Sequence, residues 1–137
     1  MKVKDVIEVV LSLNGDLRIE PTCDLLIEGD REQDVTGIAT TFMATVDVIR
    51  QAIKHGCNLI ITHEPTYFTG VDRPEWLQDD PVYHLKKALI NTNGVSIWRY
   101  HDHMHMGDGD LIYDGLLKDL GWTDYLDRSI PQPHCYT

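Results

Sequence analysis

Apolar positions along this chain alternate between two periods, and the alternation predicts its elements. Val3, Val6, Ile7, Val10 and Leu13 recur at helical spacing, so residues 2–13 read as an amphipathic helix ended by Asn14-Gly15. Leu25-Leu26-Ile27 and Val35 to Thr41 are short β-prone runs, separated by the charged, turn-like Glu28 to Glu32. The helical period returns at Val46, Ile49, Ala52 and Ile53, with Thr45 placed as N-cap and Gly56 just past the end. Leu59 to Thr62 reads as a strand. Residues 63–80 hold Pro65, Gly70, Pro74 and Trp76 without periodicity, a loop long enough to suggest a function. Asp80-Pro81 opens a further helix through Val82, Leu85, Ala88 and Leu89, and Asn93-Gly94 stops it. Val95 to Arg99 is the next strand, and Asp110 caps a last helix, Leu111 to Leu120, closed by Gly121. The order α-β-β-α-β-α-β-α predicts an α/β fold: a mostly parallel or mixed sheet with helices on both faces.

Length fits one domain over residues 1–137, with enough chain for a real core. A formal charge of −10 and the lack of any basic cluster argue against a nucleic-acid surface. Three cysteines (Cys23, Cys57, Cys135) without CxxC spacing read as free thiols of a reducing compartment. The N-terminus mixes charged with apolar residues, unlike a signal peptide, and no apolar run is long enough to span a bilayer. A cytoplasmic protein without a membrane partner is the expectation.

The chemistry gathers at two strand exits. His63-Glu64 follows the run Leu59 to Thr62, and His101, His103 and His105 follow the run Val95 to Arg99. Ligands of open α/β sheets collect outside the carboxyl ends of the strands. Neighbouring strands about 4.8 Å apart bring such imidazoles within reach of one ion. Read as extended chain, residues 101, 103 and 105 share a face. Imidazole with carboxylate suits zinc, iron, manganese or nickel rather than magnesium or calcium. Asp102, Asp108 and Asp110 are candidates for orienting imidazole N–H groups, although Asp108-Gly109-Asp110 also reads simply as a turn and helix cap. His55, His84 and His134 read as ordinary surface residues, and Tyr67 and Trp76 as either core lids or substrate contacts.

These segments resemble the Nif-three-like family, ring-forming proteins with a dinuclear metal centre, also described as GTP-cyclohydrolase-like, type two. Ile27-Glu28-Gly29-Asp30 resembles its early glycine-aspartate turn, and Val35-Thr36-Gly37-Ile38 the approach to a strand and helix. Leu59 to Phe68 resembles its apolar strand with two histidines, a proline and a phenylalanine; Arg99 to His105 resembles its later histidine segment. The likeness runs over nearly the whole chain, matched to the first half of a family member. The chain departs from the pattern at Glu64, where the family has its second histidine, and at His105, where it has an aspartate. Met43 stands at a usual aspartate position, and the family's later histidine and glutamate have no counterpart. Either this is a minimal or truncated member or those ligands come from elsewhere, and the resemblance implies one or two divalent transition-metal ions. A single ion held by His63, Glu64, His101 and His105 is the simpler expectation. It also implies a homo-oligomer, a hexamer in the family.

Two functions are expected from these residues. In the first, the protein is a hydrolase of a small phosphorylated or heterocyclic molecule, acting through a metal-activated water. Glu64, if not a ligand, is then the general base, and His103 an acid or phosphate contact. In the second, it is a non-catalytic metal-binding scaffold or regulatory protein whose ion stabilises an oligomer.

Overall fold

The computed structural model describes residues 1–127 apart from Thr69, Val71 and Asp108. Chain order is α1 (Val3–Ser12), β1 (Leu26–Glu28), β2 (Ile38–Thr41), α2 (Val46–Lys54), β3 (Leu59–Thr62), α3 (Pro81–Thr92), β4 (Ser96–Arg99), α4 (Asp102–His105) and α5 (Leu111–Leu120). The strands form one sheet in the order β1-β4-β3-β2. The pairs β2/β3 and β3/β4 are parallel, and β1 runs antiparallel to β4. The fold is thus α/β with a mixed sheet, because two parallel steps are joined by helical crossovers while β1 enters from the opposite direction.

Helix starts follow the capping chemistry of the sequence. The Thr45 hydroxyl accepts from Val48 N at 3.2 Å. The Asp80 carboxylate accepts from Val82 N at 2.7 Å and Tyr83 N at 3.0 Å, with Pro81 in the first turn. Each cap satisfies amides that the first turn leaves without an intrahelical partner. At the other end of α5, Gly121 closes the helix in the left-handed conformation at φ 67°.

Alternation along the strands divides the core in two. Ile60 and Ile97 face α2 and α3, where they pack with Ile49, Ala52 and Ile90. Leu59 and Trp98 face α1, where they meet Val3, Val6 and Ile7. β3 and β4 are buried on both sides, as expected for the interior strands of a covered sheet. Cover is incomplete at β2: Ile38 and Phe42 on that edge are 46% and 58% exposed.

Gly29, in the early glycine-aspartate turn, has a packing reason to lack a side chain. Its φ is 102°, and a Cβ there would lie 2.6 Å from the Cα of Ser96 on β4. The turn can approach the centre of the sheet only with glycine at this point.

The largest departure from the sequence reading lies just after β4. Residues 102–105 form the helical turn α4 instead of continuing as extended chain. Side chains four apart then share a face, whereas those two apart point away from each other. The expectation that His101, His103 and His105 share one face is overturned for His103.

Candidate metal centre

His63 leaves β3 and His101 follows β4, the strand beside it, so parallel pairing places both at the carboxyl edge of the sheet. α4 then carries His105 back over them. One ring nitrogen from each of His63, His101 and His105 lies within 4.8 Å of the others. His63 and His101 stack with centroids 4.5 Å apart, and His105 meets both rings edge-on at 5.0 and 4.7 Å.

Hydrogen bonds decide which nitrogen each ring offers. His101 Nδ1 meets Asp102 Oδ1 at 2.9 Å, His105 Nδ1 meets Asp110 Oδ2 at 2.7 Å, and His63 Nδ1 faces the Tyr100 carbonyl at 3.3 Å. An oxygen acceptor holds the proton on Nδ1, which leaves the Nε2 lone pair free in all three rings. His63 Nε2 and His105 Nε2 are 3.3 Å apart. Two lone pairs at that distance have no hydrogen between them to share. It is also about the edge length of a zinc tetrahedron with Zn–N bonds of roughly 2.0–2.1 Å. Burial, reinforced by the neighbouring His101 and His105, holds the His63 pKa below the ordinary histidine value and so favours its neutral, ligating form. Three imidazole nitrogens this close fit a divalent transition-metal ion.

Glu64 and His103 are placed otherwise. The Glu64 carboxylate does not join the three-histidine group, although its charge is felt at His63. Consecutive residues leaving a strand point to opposite faces, which separates Glu64 from its neighbour. His103 has neither ring nitrogen open: Nδ1 binds Asp24 Oδ2 at 2.6 Å, and Nε2 accepts from Ile19 N at 3.2 Å. It is 3% exposed and holds the N-terminal loop, so the acid or phosphate-contact role expected for it has no free atom to act through.

Asp24 is the residue that sequence reading missed. Its carboxylate, 2% exposed, accepts from His101 N at 2.7 Å, Asp102 N at 2.7 Å and His103 N at 3.1 Å, besides the His103 ring. These are the free amides at the start of α4, and Asp24 caps them from a distant part of the chain. Asp102 is anchored in turn by Thr22 Oγ1 and Cys23 N at 2.9 and 2.8 Å. Cys23 Sγ donates to Asp102 at 3.1 Å, and burial followed by that bond pushes the thiol up to about 12. Asp102, Cys23 and His101 form a second group of close donor atoms, but the bonds just given already engage them.

At the β3 exit Arg99, 2% exposed, donates to the His63 carbonyl at 3.2 Å and to the Gly70 carbonyl. Asp72 ties the long loop by accepting from Thr66 N and Tyr67 N, each at 2.6 Å. Tyr67 belongs to the core, its hydroxyl donating to Glu28 at 2.8 Å, whereas Trp76 is 63% exposed. His55 and His84 are exposed; Asp108, His134 and Cys135 lie outside the described residues.

Fold and site together define an α/β protein with a candidate three-histidine metal centre at the carboxyl edge of its sheet. The family model described as Duf34/NIF3 (NGG1p interacting factor 3) matches residues 1–124, and the chain belongs to that family. It is 32% identical over 128 residues to a GTP cyclohydrolase 1 type 2 homolog of Clostridium acetobutylicum, a match covering 89% of this chain and 44% of that protein. A homolog of the same name from Clostridium perfringens is 27% identical over 125 residues, covering 90% and 46%. The chain therefore spans less than half the length of these curated relatives. Among solved structures, a Staphylococcus aureus protein superposes with a TM-score of 0.67 at 26% identity, covering 88% of this chain and 34% of that one. A Bacillus cereus protein related to NIF3 shares the fold with a TM-score of 0.68 at 22% identity, covering 88% and 33%. Among the described residues no helix is long and apolar enough to cross a membrane.

Proposed function

We propose that this chain carries the metal-holding part of a divalent-metal-dependent hydrolase acting on a small phosphorylated or heterocyclic molecule. One observation carries the reading: three imidazoles whose Nδ1 atoms meet oxygens each bring a ring nitrogen within 4.8 Å of the others, with the Nε2 atoms of His63 and His105 3.3 Å apart. The names of the curated relatives support a hydrolytic role. A divalent ion bound there would supply Lewis acidity and lower the pKa of a coordinated water. His63, His101 and His105 hold and orient, and Asp102 and Asp110 fix their tautomers. Glu64, anionic and next to a ligand but outside the cluster, is the candidate general base.

Elemental analysis of the purified chain tests the reading, beside His63→Ala and His105→Ala variants and a hydrolysis panel of phosphorylated and neutral heterocycles. The expected result is about one ion per chain, lost in both variants together with turnover. Wild-type protein that takes up no transition metal would sink the proposal.

A second reading, a metal-stabilised homo-oligomeric scaffold, is favoured by apolar surface on α3, where Val82 and Leu85 are 67% and 72% exposed. Chelation would then dissociate the assembly, and native mass would fall with the metal.

A further inference from the structure

An apolar cleft of about 490 Å³ opens beside His63, between β2, the end of β3 and the helices α1, α4 and α5. Its walls are mainly Val10, Phe42, Ile61, Met104 and Ile112. No aspartate, glutamate, lysine or arginine lines it among the described residues. Two of its threonine hydroxyls are engaged by backbone: Thr41 donates to the Met43 carbonyl, and Thr62 has the Phe42 and Glu64 carbonyls as alternative acceptors at 3.2 Å. Such walls offer little to a phosphate, and a chain of net charge −10 adds general repulsion. A volume in this range suits a small organic ligand.

Phe42 gives the cleft a preferred shape of occupant. The residue is 58% exposed, and its ring stacks on His63, centroids 5.2 Å apart at 29°, while His63 stacks in turn on His101 at 4.5 Å. The rings thus run from the open cleft to the metal-holding imidazoles. A flat aromatic group entering there gains both apolar burial and ring stacking.

We infer that the substrate of this site is a neutral aromatic or heteroaromatic compound whose ring lies in the cleft against Phe42, with its reacting group at the histidine cluster and no phosphate needed for recognition. The inference rests on the hydrolase reading and narrows its substrate to the heterocyclic alternative.

Methyl NMR of the full chain, with and without zinc, tests it, using indole as the neutral aromatic probe, cyclohexanol as its saturated control and inorganic phosphate as competitor. Indole is expected to shift the Ile61, Met104 and Ile112 methyls saturably, with cyclohexanol and the Phe42→Ala variant each about tenfold weaker. Phosphate is expected to leave indole bound. Because Phe42 is largely exposed, the variant should fold, and circular dichroism verifies that. Absence of saturable binding, equal binding of cyclohexanol, an unaffected Phe42→Ala variant or displacement by phosphate overturns the inference. Zinc uptake measured on the same samples separates the two readings: normal uptake without indole binding rejects the aromatic substrate alone, whereas failure to take up zinc rejects the hydrolase.

Discussion

The two strand exits that build the candidate metal centre are held very differently. At the β3 exit, the oxygen facing His63 Nδ1 is a neutral one at long range, the Tyr100 carbonyl at 3.3 Å. At the β4 exit, three imidazoles are fixed by three aspartates at 2.6–2.9 Å, with Asp24 and Asp110 nearly inaccessible. A carboxylate partner orients a ring and raises its basicity more than a carbonyl does. In the proposed centre His101 and His105 are therefore the firmly held pair, and His63 is the less constrained third member. The contrast also separates His103 from its neighbours: all three rings meet a carboxylate, but His103 uses its second nitrogen inside the protein.

The rigid side offers the largest test. Asp24→Ala should cost about 3–5 kcal/mol, because it leaves three amides and an imidazole N–H without their acceptor. Urea denaturation measures this, and a loss below about 1 kcal/mol would mean that the β4 exit does not depend on Asp24. Next in size, His105→Ala should reduce metal affinity by more than the roughly 10–100-fold typical of changes behind a ligand. His103→Gln should lower stability while largely sparing the ion. Equal loss of metal in both variants would erase the distinction between the two histidines. Asp110→Asn should weaken metal binding by about 10–100-fold with little loss of stability. The amide can keep the cap on Ile112 N and Tyr113 N, but an NH₂ facing His105 Nδ1 moves the ring proton to Nε2. The smallest effect is a pH dependence at Cys23. Its thiol is raised from 9.0 to about 12, so the folded state keeps a proton that the unfolded chain releases. Its stabilisation is present below pH 9 and is lost as pH rises from there through about 12. Thermal melting across that window should show a decline that Cys23→Ser reduces.

Most of the fold was legible because its signals are local. Thr45, Asp80 and Asp110 cap the predicted helices, Leu59–Thr62 is the predicted strand, and the last helix ends at Gly121. Capping and periodicity act between residues a few positions apart, so the sequence contains both partners. The short turn α4 was illegible for the opposite reason. Its four residues carry no periodic pattern, and its leading amides are capped by Asp24, 77 to 79 positions earlier. Nothing near Asp24 in sequence marks it as the acceptor. That single long-range cap changes a period of two into a helical turn, which retains His105 in the cluster and sends His103 into the protein.

The sequence by itself determined that histidines would emerge at two strand ends of an α/β sheet, because strand length and ending are set by neighbouring residues. Only the tertiary structure decided which of them meet: β3 and β4 had to lie side by side, and buried carboxylates from elsewhere in the chain had to fix α4 and choose the free nitrogen of each ring. Imidazole direction is a through-space property, set by partners that the order of residues does not place together.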